Sequence, residues 1–365
     1  MIYLDSAATS LLKPLAVEQA MTRALRTLAS PGRGAHPPAM QAASLLFDCR
    51  EAACALFHVP EPEQVVFTFN ATHGLNLAIR SLVPRGGNVV VSGFEHNAVT
   101  RPLHALDARL RVAGTRLFDP EDSLRAFERL LPGADAAVCT QVSNVFGYVL
   151  PIAEIAALCR REGVSLIVDA SQAAGVLDVD FEGWGAAYVA MPGHKGLLGP
   201  QGTGLLLCRE PGEPLLHGGS GSDSIRPTMP DDLPERLEAG THNVCGIAGL
   251  LAGLRYVAKR GTRAILDHER GLLRVFCDEL SDSGLELFAG AGQSGVVSLR
   301  SSRLDCETLA GRLAERGICV RAGLHCAPLA HQSAGTLNTG TVRFSFSPFI
   351  TEQQVRRAAQ VLRTL

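Results

Sequence analysis

Asp169 closes the apolar run Ile167-Val168-Asp169-Ala170-Ser171-Gln172, and Lys195 follows 26 residues later in Gly193-His194-Lys195. A second apolar run separates them, and the lysine sits in a Gly-flanked turn. That pairing suits pyridoxal 5'-phosphate (PLP) chemistry. A lysine amine can hold the cofactor aldehyde as a Schiff base, and an aspartate can keep the pyridine nitrogen protonated so that the ring withdraws electrons. A buried strand-end aspartate and an unrelated surface lysine fit the same two positions, since many α/β proteins end a strand in Asp. The surrounding elements must decide.

Apolar runs that read as strands recur at Val65–Phe69, Val89–Ser92, Leu110–Val112, Ala136–Gln141, Leu166–Asp169, Ala187–Met191 and Gly204–Cys208. Several are apolar on both parities, as strands covered on both faces are. Helical patterns lie between them, near Thr72–Val83, Asn97–Asp107, Ser123–Leu131 and Ile152–Glu162. This alternation predicts an α/β fold, a mostly parallel seven-stranded sheet with helices on both faces. A short Gly/Pro-rich link joins the last two strands, which predicts one antiparallel edge strand. Helices are expected at Lys13–Leu28 and Pro38–Phe57 before this core, and at Cys245–Arg260 and Thr262–Ser283 after it.

The tail mixes strand patterns (Gly295–Arg300, Ile318–Arg321, Thr341–Ser347) with helical ones (Asp305–Arg316, Thr351–Leu365), as a smaller α+β domain does. The expected division is a large domain at 13–250 and a small one built from 1–12 and 251–365. The loop Gly218–Pro234 is long and polar, a type often functional or mobile.

Four loops follow predicted strand C-termini, where open α/β sheets bind ligands. Asn70-Ala71-Thr72-His73-Gly74 opens a helix whose free amides suit a phosphate, with the Thr72 hydroxyl as a further donor. The same residues also suit an ordinary helix N-cap. His96 in Glu95-His96-Asn97 offers a flat ring for stacking, or a structural histidine. Asn144, in Val142-Ser143-Asn144, is placed to reach a ring oxygen or a substrate carboxylate. Gln172 lies one helical turn past Asp169 and can face the ring oxygen.

Composition excludes several classes. Hydrophobic residues are 46% and charged ones 19%, as in a folded enzyme rather than a disordered chain. Net charge is -2, with no long Lys/Arg run, which argues against nucleic acid. No apolar stretch is long enough to span a bilayer, and Met1–Asp5 lacks a secretory pattern, so a soluble cytoplasmic protein is expected. The ten cysteines form no CxxC pair or zinc-like cluster, so no metal is expected. Nine read as small buried hydrophobes; Cys326 differs, with Arg321, Gly323 and His325 just before it. So many unpaired thiols fit a reducing compartment.

Taken together, these segments resemble the class V, fold type I PLP-dependent aminotransferases, within the cysteine desulfurase and selenocysteine lyase branch. The resemblance runs over nearly the whole chain. It rests on Tyr3-Leu4-Asp5-Ser6-Ala7-Ala8, Asn70–Gly74, Glu95-His96, Ser143-Asn144, Asp169–Gln172, Gly193-His194-Lys195, Glu238-Ala239-Gly240-Thr241, Arg321–Cys326 and Val342-Arg343-Phe344-Ser345. It implies Lys195 as the Schiff-base lysine, Asp169 on the pyridinium nitrogen, His96 stacked on the ring and Gln172 on the phenolic oxygen. Ala71, Thr72 and His194 are implied around the phosphate. Thr241 is implied to reach the phosphate of a neighbouring subunit, hence a homodimer. Asn144, Arg321 and Arg343 are implied on the substrate side, and the backbone around Ala7 and Ala8 lines the same pocket.

Pro192 departs from the pattern, because relatives often carry a hydroxyl there. The compact Cys326 loop resembles the short-loop branch, with His331–Gly340 as its expected flexible part. The activity implied is conversion of L-cysteine to L-alanine. Lys195 removes the Cα proton, and Cys326 takes the sulfur as a persulfide for an acceptor protein, with Arg321, His325 and Arg343 lowering its pKa. The alternatives are a lyase acting on L-selenocysteine, or another class V reaction such as transamination or epimerisation, against which the cysteine at 326 argues. A non-catalytic scaffold is disfavoured because Lys195 and Asp169 are both present.

Overall fold

The computed structural model describes residues 1–32, 34–221 and 224–365; Arg33, and Ser222 and Asp223 of the long loop, lie outside the described residues. The strands are β1 (Ile2–Tyr3), β2 (Val65–Thr68), β3 (Asn88–Ser92), β4 (Arg109–Ala113), β5 (Ala136–Thr140), β6 (Ser165–Asp169), β7 (Tyr188–Pro192), β8 (Gly204–Cys208), β9 (Glu286–Phe288), β10 (Val296–Arg300), β11 (Ile318–Cys319), β12 (Arg321–Gly323) and β13 (Thr341–Ser345). The helices are α1 (Leu15–Thr27), α2 (Pro37–Phe57), α3 (Ala71–Leu82), α4 (Asn97–Ala105), α5 (Pro120–Leu130), α6 (Ile152–Glu162), α7 (Phe181–Trp184), α8 (Val244–Arg260), α9 (Thr262–Leu280), α10 (Cys306–Glu315), α11 (Pro328–Ser333) and α12 (Glu352–Leu362).

The expected seven-stranded sheet is present, in the order β2-β8-β7-β6-β5-β3-β4. Only β8 runs against its neighbours, and it lies between β2 and β7 rather than at the edge. The expected antiparallel edge strand is therefore an inner one. The short link reverses the chain, but β2 docks outside β8 and covers it. Every residue of β5, β7 and β8 is buried, so helices on both faces must shield them. Two apolar cores fill these faces, one around Phe94, Phe127 and Phe146, the other around Leu75, Ile79 and Tyr188.

A four-stranded antiparallel sheet, β12-β13-β10-β9, forms a second layer. Its core gathers Leu4 with Phe276 of α9, Phe344 of β13 and Val355 of α12. Phe276 packs at 4.8 Å on the Phe344 ring and at 5.9 Å on that of Phe346. The N-terminal segment joins this layer through β1, parallel to β11, and through a bridge from Asp5 to Ser345.

The tail elements appear as read, with boundaries shifted by a few residues. The run Ile318–Arg321 splits into β11 and the start of β12, because the two halves pair with different strands. His331–Gly340 is anchored rather than loose. His331 and Thr336 are fully buried, and the His331 Nδ1 lies 2.7 Å from the Thr336 hydroxyl. Four of the nine cysteines expected to be buried are so, at 49, 139, 159 and 208; the other five are half-buried. No helix among the described residues is long and apolar enough to cross a membrane.

Phe276→Ala removes the ring on which the second sheet closes. It should cost about 3–5 kcal/mol of stability, read as a lowered midpoint in urea unfolding.

Candidate functional site

Parallel strands put their C-terminal ends on one edge, and the turns leaving them surround a cavity of about 220 Å³. Lys195, Asp169, His96, Thr72, Asn144 and Arg343 all line it. Ala71, Gln172, His194, Arg321 and the Ala7–Ala8 segment complete the wall. β6 ends at Asp169, paired in register with Ala190 of β7, so the turn after β7 brings Lys195 to the same mouth. That turn is tight. A Cβ at Gly193 would lie 2.1 Å from the Thr203 hydroxyl, so only glycine fits.

α3 begins at the cavity. The Asn70 side chain caps the helix by accepting from the His73 amide at 2.9 Å, and the Asn70 carbonyl takes the Gly74 amide. Ala71 and Thr72, whose amides precede these and have no partner within the helix, line the cavity. The N-cap reading of this segment holds for Asn70, while Ala71 and Thr72 line the cavity.

His96 precedes α4, where its Nδ1 accepts from the Ala98 amide at 3.0 Å. An acceptor Nδ1 leaves the ring neutral with its proton on Nε2. Burial agrees, pushing its pKa down to about 4 against a smaller opposing pull from Asp169. His194 is likewise pushed down to about 4 by burial, with Lys195 and Lys13 adding to the effect. Its Nδ1 lies 3.1 Å from the Thr9 hydroxyl.

Asp169 is buried, and one carboxylate oxygen accepts from the Ser171 amide at 2.9 Å. Lys195 is brought down to about 8 from the ordinary 10.5, mainly by burial, with Asp169 opposing. The unfolded chain holds that proton more tightly. This lysine therefore costs stability in full below about pH 8, and the cost fades between there and the ordinary lysine value.

Arg343, on β13, is 1% exposed. Its Nη2 donates to Asp5 at 2.7 Å and its Nη1 to the Asn144 carbonyl at 3.0 Å, while Nε has no partner. The Asn144 amide donates to the His325 carbonyl at 2.9 Å, leaving its Oδ1 unpaired. Gln172 donates to the Ala7 carbonyl at 3.0 Å. Pro192, the noted departure from the family pattern, lines the cavity.

Cys326 is the one exposed cysteine among the described residues. It sits on the turn after β12, its carbonyl held by the Asn97 amide at 2.7 Å, next to His96. Arg321 Nη2 lies 4.0 Å from its Sγ. His325 does not help Cys326 as expected. It is buried, its Nε2 lies 3.2 Å from both the carbonyl and the hydroxyl of Thr341, and burial pushes it down to about 2, so it carries no charge to offer. Both residues take left-handed backbone, His325 at φ 49° and Cys326 at φ 55°, and the ring turns inward as the thiol turns out.

Thr241 is not brought to this cavity. It lines a separate one of about 420 Å³ with Arg50, Glu238 and His242. The sequence reading missed Asp5 as the partner of Arg343, and missed Ser171 and Thr140 in the wall. Asp5 stood in a quoted motif, but its partner lies 338 residues away.

The aminotransferase class-V family model matches residues 2–358. The chain belongs to the aminotransferase class-V family. It is 32% identical to a probable cysteine desulfurase of Methanothermobacter thermautotrophicus, over 99% of this chain and 94% of the relative. It is 33% identical to a cysteine desulfurase of Klebsiella pneumoniae, over 90% and 84%. Its fold matches the apo cysteine desulfurase structure from Thermococcus onnurineus NA1 with a TM-score of 0.92, at 30% identity, covering 100% of this chain and 94% of that one.

Two outcomes are expected. Asp5→Ala leaves a buried guanidinium without its carboxylate and should cost about 3–5 kcal/mol in urea unfolding. Labelling of Lys195 by an amine-selective reagent should rise with pH and level off once past about pH 8. An ordinary lysine would continue to gain reactivity toward 10.5.

Proposed function

We propose that this protein is a PLP-dependent cysteine desulfurase that converts L-cysteine to L-alanine and receives the sulfur on Cys326. The observation that carries this reading is the placement of Lys195 and Asp169 in one cavity, with the exposed Cys326 on the turn beside it. The desulfurase names of relatives at 32% and 33% identity support it.

The residues present fit the cofactor. The free Ala71 and Thr72 amides, the Thr72 hydroxyl and the neutral His194 suit its phosphate. Asp169, with one oxygen still without a backbone partner, suits a pyridinium nitrogen. The flat, neutral His96 suits stacking, and Gln172 the phenolic oxygen. When bound, the cofactor supplies an electron-withdrawing ring that eases removal of the substrate Cα proton.

The chain's own groups do the rest. Arg343 and Asn144, which line the cavity, orient the substrate carboxylate, with Arg321 at the mouth. Lys195, with its amine held near neutrality, takes the Cα proton. Cys326, its Sγ 4.0 Å from Arg321 Nη2, attacks the substrate sulfur. Its exposure suits onward transfer to an acceptor protein.

We also infer a homodimer in which Thr241 reaches the phosphate of the partner subunit. The exposed Phe47 and Phe69, each lining a cavity with Thr241, support a covered surface there. The same reading divides the chain into a cofactor-holding part, 13–250, and a smaller part, 1–12 and 251–365, that carries Cys326. The ten free cysteines support a reducing, cytoplasmic setting.

The test is alanine formation from L-cysteine and from L-selenocysteine, with wild type, Cys326→Ala and Lys195→Ala. Wild type should be yellow and make alanine from cysteine. Cys326→Ala should lose at least about a hundredfold of that rate while retaining selenocysteine turnover, since selenium leaves more readily. Lys195→Ala should lose the colour and both activities. Turnover of selenocysteine alone would replace this reading with a lyase.

A further inference from the structure

Behind Lys195 lies a second chamber of about 40 Å³, lined by Ser6, Gln172, Lys195, Glu269, Ser294 and Ser347 among others. Ala7, Gln172 and Lys195 line both chambers and form the wall between them. The volume holds about two waters. Ser6, Gln172, Glu269, Ser294 and Ser347 in its wall offer such waters hydrogen-bond partners.

Glu269 reaches this chamber from α9. It is 6% exposed, and no donor or cation among the described residues meets its carboxyl. The Ser294 hydroxyl is also buried and without a partner. Gly295 makes room for the acid, since a Cβ there would lie 2.6 Å from Glu269 Oε2. The neighbours of Glu269 on α9 are engaged elsewhere: His268 on the Ile350 carbonyl, Arg270 on those of Gly292 and Gln293. The N-terminal segment, the turns after β6 and β7, the loop before β10 and the end of β13 supply the other walls, and among the described residues Lys195 is the only further titratable group they present.

We propose that Glu269 is a buried proton donor to Lys195, acting through water held in this chamber. The proposal rests on the desulfurase reading. That reaction takes one proton from Cα onto Lys195 Nζ and must return two, one to Cα and one to Cβ. The thiolate pair of Cys326 forms the new S–S bond, and the C–S pair stays on Cβ. The second proton equals the one Cys326 sheds to solvent on ionising. Glu269 gives its carboxyl proton to a chamber water, which passes one to Lys195, and bulk water reprotonates Glu269 between turnovers. Burial pushes the Glu269 pKa up to about 8, so the acid is loaded at neutral pH. The folded state binds this proton more tightly than the unfolded chain. The resulting stability is full below the ordinary carboxylate value and is lost as pH rises through about 8.

The experiment compares holoenzyme wild type, Glu269→Gln and Glu269→Asp, with Ser294→Ala as a variant that leaves the acid in place. Difference infrared spectra at neutral pH, wild type minus Glu269→Gln, should carry a protonated-carboxyl band, because the other acid raised by burial to about 8, Glu95, is common to both and cancels. Glu269→Gln should keep KM and visible colour but lose at least about tenfold in kcat, without the fall in kcat near pH 8 that wild type displays. Glu269→Asp should restore part of the rate, and Ser294→Ala should lower it about threefold. Absence of that difference band overturns the proposal. So does wild-type kcat and pH dependence in Glu269→Gln or, if that variant does not fold, in Ser294→Ala. Failure of wild type to make alanine from cysteine would instead reject the desulfurase reading.

Discussion

Lys195, His96 and Arg343 meet beside Asp169 in a cavity whose burial works against their charged forms, and that penalty decides which of them can do chemistry. Burial brings Lys195 to about 8, within reach of a free amine near neutral pH. It holds His96 and His194 neutral at about 4, so neither competes with Lys195 for a proton. Arg343 stays charged because Asp5 accepts from it at 2.7 Å. A buried ion pair of this kind contributes little net stability, but losing one partner is costly, so the N-terminal segment is bound to the site by electrostatics as well as by β1.

Two sheets must cooperate for this to hold. The parallel ends of β5, β6 and β7 deliver Asn144, Asp169 and Lys195 from one side. β12 and β13 deliver Arg321, Cys326 and Arg343 from the other. Contacts across the junction are polar and specific: Arg343 to the Asn144 carbonyl, Asn144 to the His325 carbonyl, and the Asn97 amide to the Cys326 carbonyl. They fix the thiol at the rim, while His325 is drawn into the interior.

Local signals explain what was legible in the sequence. α6 ran as read, from Ile152 to Glu162, because an amphipathic pattern ends there at Gly163 in a left-handed cap. The strands of the large sheet were legible because doubly covered strands are continuously apolar. The position of β8 was not, since a short link reports reversal but not which neighbour will dock outside it. β1, β9, α7 and α11 are too short to carry a period. The side of the chain on which His325 emerges depends on positive φ at two successive non-glycine residues, which no composition rule anticipates. The Asp5–Arg343 pair and the Glu269 chamber depend on segments brought together only by the second sheet. Thr241 was legible as a motif residue, yet within one chain it faces a different cavity.

The central claim is that sulfur leaves the substrate onto Cys326. It is tested most directly by intact-mass and peptide mass spectrometry of the wild-type holoenzyme after a brief exposure to L-cysteine without reductant. The account predicts a gain of one sulfur atom on the peptide carrying Cys326, in step with alanine release. Alanine release with that peptide unchanged, or with the added sulfur on another cysteine, would contradict it.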